Sequence, residues 1–369
     1  MSKQGNLFDP VAAPTLFPVE PPKHLSLVDR FGVPPFSILD GRSGPWQERK
    51  AAWLGLGIKS ELGRDDKLLD YTPLTKAHEE KPCGTCEGTG TKKGTVKKCP
   101  DCKGTGRRFS NYASIGSTSV FDPVVCELAY RWFCPPAGDV LDPYAGGSVR
   151  GLVAALLGRN YVGIDLRPEQ IEANQQQAAT IFAGWPHPHG VPVWLAGDSR
   201  ELPRVVGGKP ESVDFVFSCP PYYDLEKYSS DPRDLSNAKE YHHFLDAYRD
   251  IVGHLAQYLR PNRFACFVVG EVRGKDGSYR GLVPDTIRAF EDHGLHYYNE
   301  FILVTPLGTA PVRASRLFVG GRKSVKAHQN VLVFVKGDFK AACEACPLPG
   351  ANADEDSEAW VDARDVEVG

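Results

Sequence analysis

The sequence predicts an α/β protein: a doubly wound, seven-stranded Rossmann-like sheet with one small inserted module. Three observations carry that expectation. Between Val140 and Val335, short runs rich in Val, Ile and Phe alternate with stretches of helical period, the rhythm that builds a mainly parallel sheet. Several of the runs stop at an acid or a rigid turn, at Asp142, Asp165, Asp198 and Cys219-Pro220-Pro221, and open α/β sheets hold ligands at the carboxyl ends of their strands. Finally, 369 residues with 41% hydrophobic and 24% charged content suit a globular protein of one large domain or two ordinary ones.

Taken in order, the residues up to about Leu25 are Pro-rich and aperiodic, the pattern of an arm with no fold of its own. From 27 to 62 apolar and aromatic residues thicken, and 47–54 has the spacing of a short helix stopped by Gly55 and Gly57. Residues 1–80 are therefore expected to form an arm and a helical segment that packs on the α/β core. Residues 81–109 form the inserted module, 110–340 the α/β domain, and 341–369 an acidic tail without fixed structure. Strands are expected at 140–142, 161–165, 193–195, 213–219, 264–269, 298–304 and 330–335. Helices are expected at 149–157, 168–177, 244–259 and 284–293, the second opened by Pro168 at a position where proline is tolerated.

The inserted module is an internal repeat. Cys83-x2-Cys86-x-Gly88-x-Gly90 recurs as Cys99-x2-Cys102-x-Gly104-x-Gly106. Two such knuckles supply four thiolates for tetrahedral zinc, and the glycines permit the tight turns that aim backbone N–H groups at sulfur. The repeat resembles the CxxCxGxG zinc modules of J-protein chaperones, over this stretch alone. Four thiolates leave no open position, so the zinc is expected to be structural. Cys343-x2-Cys346 is a lone knuckle, read as structural or incidental.

Charge is unevenly spread. The net charge is −3, yet residues 81–110 carry eight Lys/Arg against Glu87 and Asp101, and residues 305–327 carry five against no acid. Residues 351–369 hold seven acids against Arg364. Two basic patches suit a nucleic-acid partner, whereas the tail would repel phosphates. No apolar run approaches the ~20 residues of a membrane span, and the N-terminus has no apolar signal core. A cytoplasmic protein whose ten cysteines are thiols or metal ligands is expected, with no membrane partner.

Asp142-Pro143-Tyr144-Ala145-Gly146-Gly147 is a glycine-bearing turn between strand and helix, which lets a ligand approach backbone and helix N-terminus closely. Asp165 follows Asp142 by 23 residues, about where a ribose-binding acid falls in nucleotide folds. No GxGxxG occurs, which counts against NAD. Any one of these aspartates could be an ordinary helix cap; all of them at consecutive strand ends point to a site.

These residues resemble the DNA amino-methyltransferases that use S-adenosyl-L-methionine (SAM) and make N6-methyladenine or N4-methylcytosine. Residues 142–147 are similar to their DPFxGxG cofactor motif, and Cys219-Pro220-Pro221-Tyr222 stands where they have (D/N/S)PPY. The resemblance implies that Asp165 binds the ribose, that Asp198 sits beside the adenine, and that Phe121-Asp122-Pro123 contacts the methionine moiety. Residues 322–334 are similar to the family's final strands, and 27–62 to its phage and prophage members, some of which serve restriction-modification. The likeness covers about residues 110–338.

The mechanism so implied flips a base out of DNA and stacks it on Tyr222 or Tyr223. Acceptors at the (D/N/S) side chain and at the first Pro carbonyl, here that of Pro220, then hold the amino hydrogens while the nitrogen attacks the SAM methyl group. With Cys219 in the first place, either the Pro220 carbonyl and a neighbour suffice or Cys219 has another job. Cys219 departs from the family, because a thiol is a weak hydrogen-bond acceptor, and Ser218 should face the other side of the strand. One alternative is cytosine-C5 methylation with Cys219 as nucleophile, although such enzymes have Pro-Cys where this chain has Cys-Pro, and Glu271-Val272 lacks their Asn. Others are an RNA amino-methyltransferase and a non-catalytic zinc DNA-binding protein. DNA, expected to be double-stranded, would be read by the N-terminal region with its zinc module, residues 224–240 and residues 313–326.

Overall fold

In a computed structural model of the chain, residues 26–59, 81–82, 91, 107–108, 121–184, 190–308 and 310–348 are described. The N-terminal part contributes a short helix, α1 (Leu27–Phe31), a three-residue strand, β1 (Ile38–Asp40), and α2 (Gly44–Gly55). Two minimal strands, β2 (Lys81–Pro82) and β3 (Arg107–Arg108), pair antiparallel and so bring the ends of the cysteine-rich stretch together. The alternating part then runs α3 (Pro123–Phe133), β4 (Asp139–Asp142), α4 (Val149–Leu156), β5 (Asn160–Asp165), α5 (Pro168–Ala183), β6 (Pro192–Ala196), α6 (Leu202–Val206) and β7 (Val213–Ser218). It continues with α7 (Tyr241–Tyr258), β8 (Leu259–Val269), α8 (Leu282–Glu291), β9 (His296–Val304), α9 (Ala310–Gly321), β10 (His328–Lys336) and α10 (Phe339–Glu344).

The main sheet has eight strands in the order β1-β9-β10-β8-β7-β4-β5-β6. Seven coincide with the expected strands, and the eighth, β1, adds in parallel to the β9 edge. β10 runs antiparallel to β8 and β9, while the remaining pairs are parallel. The chain leaves β4 toward β5 and β6, then returns to lay β7 on β4's other side. That reversal makes the ends of β4 and β7 the topological switch point, where such sheets bind ligands.

Helices cover both faces. Phe215 and Phe217 of β7 pack with α2, α3, α4 and α5, while Val216 faces α7 and α8 with Phe267 and Phe334. All six residues of β7 are buried, as a central strand covered on both faces must be. Among the helices, α1, α3, α6, α9 and α10 have no counterpart in the expectations. α3 is capped by the Asp122 carboxylate, which accepts from the Val124 N–H at 3.0 Å, with Pro123 at the first helical position. The boundary expected at 340/341 falls within α10, where Ala342 and Cys346 are buried. Among the described residues no helix is long and apolar enough to cross a membrane.

Candidate functional site

The site starts from the turn that follows β4. Asp142 is fully buried, and its carboxylate faces inward: it accepts from Arg150 Nε at 2.6 Å, the Tyr161 hydroxyl at 2.7 Å, Ser218 Oγ at 2.5 Å and the Tyr144 N–H at 3.1 Å. Gly163 makes room for this arrangement, because a Cβ there would come within 2.6 Å of the Tyr161 ring. Burial pulls the Arg150 guanidinium pKa down, but Asp142 beside it and the groups around it outweigh that and hold it above its ordinary value. Arg150 also donates to the Tyr144 and Ala145 carbonyls and lies 4.6 Å from the centre of the Phe121 ring. This cluster fixes the β4 turn to the end of β7.

Beyond the turn, Gly146 takes a left-handed φ of +50°, a conformation that favours glycine, and Asn174 Nδ2 holds its carbonyl at 2.7 Å. Gly147 follows in the bend before α4. The Gly146 N–H donates to Asp165 Oδ2 at 3.1 Å, and the Arg167 N–H to Asp165 Oδ1 at 2.9 Å. Burial pushes the Asp165 carboxyl up, and those two N–H groups pull against it. Asp198 caps the short 3-10 turn after β6 and pairs with Arg200 Nη2 at 2.6 Å. Ser199 Oγ donates to the Pro143 carbonyl at 2.6 Å, which ties the β6 end to the β4 turn. A cleft runs along these ends, lined by Pro143, Gly146, Asp165, Asp198, Cys219 and Pro221 together with apolar Ile164, Leu235 and Ile251.

Its outer wall was not foreseen as part of it. The loop after the Pro-Pro turn folds back over the cleft, held by Asp234, which accepts from Ser229 Oγ at 2.9 Å and from Ser236 Oγ at 2.8 Å. Asn237 Nδ2 closes the loop on the Ser229 and Asp231 carbonyls. The only signal for this in the sequence is the Asp-Leu-Ser-Asn run at 234–237, a local capping pattern like many others.

A second pocket opens on the other side of Cys219. Phe121, Asp122, Arg150, Cys219, Pro220, Tyr222 and Gln329 line it. The Tyr222 hydroxyl accepts from Gln329 Nε2 at 2.8 Å and lies 3.5 Å from Cys219 Sγ. Tyr223, the alternative stacking ring, is unsuited: at φ +52° its side chain turns into the core, edge-on to Tyr241 and Phe244, with its hydroxyl on the Lys239 carbonyl. Ser218 is buried on Asp142, on the face away from Cys219 as the strand alternation requires. Burial pushes the Cys219 thiol up, more than Arg150 and Tyr222 pull it down. Glu271 is engaged elsewhere, accepting from the Gly281 and Val283 N–H groups.

The N-terminal segment completes this pocket. Lys50 of α2 pairs with Asp122 at 3.0 Å, Trp46 Nε1 donates to the same carboxylate at 3.3 Å, and Gly41 and Lys50 reach the pocket wall. Behind them the wholly buried Glu127 accepts from Trp53 Nε1 at 2.8 Å and pairs with Arg49 and Arg131. Phe121 and Asp122 thus border the second pocket, and Pro123 is buried at the start of α3.

The cleft suits a nucleoside. Asp165 offers a carboxylate in its lining, Gly146 lets a ligand close on the backbone, Ile164, Leu235 and Ile251 supply apolar walls, and the Tyr144 hydroxyl is buried without a partner among the described residues. Cys83, Cys86, Cys99 and Cys102 lie outside the described residues. Among the described residues no group of three or more His, Cys, Asp or Glu side chains is placed to hold a metal ion.

No family model matches the chain, and no curated protein does. Among solved structures, it is similar to TrmN from Thermus thermophilus, with 19% identity and a TM-score of 0.39 over 62% of this chain and 52% of that one. It is also similar to a methyltransferase from Pyrococcus furiosus, with 14% identity and a TM-score of 0.38 over 60% of this chain and 85% of that one. A third likeness is to magnesium protoporphyrin IX methyltransferase (ChlM) from Synechocystis PCC 6803, solved with SAM bound, with 14% identity and a TM-score of 0.34 over 55% of this chain and 71% of that one. The chain spans about half the length of TrmN.

Proposed function

We propose that the protein transfers a methyl group from SAM to an exocyclic amino group of a base in DNA, N4 of cytosine or N6 of adenine. The observation that supports this best is the meeting of two pockets at Cys219, one suited to a nucleoside and one walled by Pro220 and Tyr222. Asp165 would accept the ribose hydroxyls, while Asp198 and the apolar walls would hold the adenine. Bound SAM supplies an electrophilic methyl group. Tyr222, pinned by Gln329, offers a fixed ring face for a flipped base. Holding the two reactants in register across Cys219 accounts for the larger part of the acceleration.

A raised Cys219 thiol and an engaged Glu271 speak against cytosine-C5 chemistry, which needs a thiolate and a free acid. The exposed Arg313 and Arg316 of α9, whose chain continues from the pocket residues Thr305 and Pro306, suit a DNA backbone. In the same reading the doubled CxxC repeat holds one structural zinc, and metal analysis of the purified protein finding none would remove it. The test of the whole reading is to express the protein, digest the host DNA to nucleosides and weigh them. N4-methylcytosine or N6-methyladenine is expected. 5-Methylcytosine that vanishes in Cys219→Ala would overturn it, as would no modified nucleoside in DNA beside a modified one in RNA.

A further inference from the structure

An amino-methyltransferase needs a hydrogen-bond acceptor at the amino group, and position 219 supplies a thiol. We infer that Glu226, on the loop behind the Pro-Pro turn, is the acceptor that this chain uses instead. The inference rests on the proposed amino-group chemistry.

The geometry places it. The Leu225 N–H bonds back to the Tyr222 carbonyl at 3.2 Å, closing a turn that returns the chain to the pocket it has just left. Glu226 therefore lines the same pocket as Cys219, Pro220 and Tyr222. Its Oε2 accepts from the Tyr228 hydroxyl at 2.7 Å, while its Oε1 has no hydrogen-bond partner among the described residues. Tyr228 borders both pockets, so the carboxylate is held close to where they meet. Asp122 is the other carboxylate of this pocket, and it is already occupied by Lys50, Trp46 and the Val124 N–H. The titratable or charged groups that share the pocket with Glu226 are Asp122, Lys50, Arg150, Cys219, Tyr222 and Tyr228. Glu226 is near enough to Cys219 for its charge to push the thiol up.

The chemistry balances. A hydrogen bond from the amino group to Oε1 draws the nitrogen lone pair out of the ring. The nitrogen–carbon bond forms as the sulfur–carbon bond breaks, the electron pair of the broken bond stays on sulfur, and the sulfonium becomes a neutral thioether. The one proton that nitrogen sheds passes to the Glu226 carboxylate and from there to water. General-base assistance of this kind is worth roughly 10²–10⁴-fold.

Two experiments test it on the full chain. In the first, methylation of unmethylated host DNA is followed alongside titration with S-adenosylhomocysteine. Glu226→Ala should lower kcat at least ~100-fold with unchanged S-adenosylhomocysteine affinity, and adding Cys219→Asp to that variant should restore at least tenfold by returning an acceptor to the other position. In the second, protein without cofactor is alkylated with iodoacetamide across pH, and Cys219 is read by mass spectrometry. Its midpoint should fall in Glu226→Gln, because a negative neighbour has gone. A Glu226→Ala enzyme within about threefold of the parent, or an unmoved midpoint, overturns the inference and leaves the amino-methyltransferase reading standing. A parent protein that modifies no amino group overturns both.

Discussion

Asp142 shows how far a motif residue can differ in use from its appearance. In the sequence it opens a ligand turn; in the fold its carboxylate is spent on Arg150, Tyr161 and Ser218. Its partners come from three other elements, so no local pattern could announce them. Replacing it strands a buried guanidinium. Asp142→Ala should lower stability by about 3–5 kcal/mol, read as a drop in the urea midpoint, and a loss under ~1 kcal/mol would mean that Arg150 finds other partners. The adjacent tyrosines make the same point. Nothing in Tyr222-Tyr223 says which ring is offered to solvent, since the left-handed backbone of Tyr223 is imposed by packing against Tyr241 and Phe244, far along the chain. By contrast, Asp165 and Asp198 were legible as residues of the cleft, because strand ends and the acids beside them are local features.

An element is legible in the sequence to the degree that packing imposes its pattern. The continuous apolar run of β7 fits only a strand covered on both faces, and it is one. β1 has three residues, only Leu39 of them buried, and such a piece carries no period to detect. The partner that fixes α2, Glu127, lies 74 residues from Trp53, so helix was readable and docking was not. α9 reads as a basic stretch yet folds as a helix that buries only Ala310 and exposes Val312, Phe318 and Val319. If its arginines meet phosphates, Arg313→Ala with Arg316→Ala should reduce the slope of log K against log salt by about two for duplex DNA, without changing S-adenosylhomocysteine affinity. An unchanged slope would remove α9 from the DNA surface.

At the scale of the molecule, buried thiols set an alkaline limit. Burial pushes Cys134 and Cys346 up to about 12 each, near one another behind the sheet. Their folded values lie above the unfolded one, about 8.5. The stability they contribute is therefore complete below pH 8.5 and lost as pH rises toward 12, at about 1.4 kcal/mol per pH unit for each thiol. Urea midpoints taken at pH 8 and 10 should fall accordingly, and Cys346→Ala should show a shallower decline; equal slopes would contradict this assignment. The doubly wound plan itself was legible because each βα step is written locally, whereas the eighth strand depends on a partner at the far end of the chain. Ile38 of β1 pairs with Ile302 of β9. During synthesis the N-terminal segment leaves the ribosome first and must wait for more than 260 further residues before its edge of the sheet exists. A nascent chain ending after β8 already contains every residue that lines the first cleft, but it lacks Leu303, Val304 and Gln329 of the second pocket. Pairing a first-made strand with a late-made one thus makes the second pocket the last part of the sheet's ligand end to be assembled.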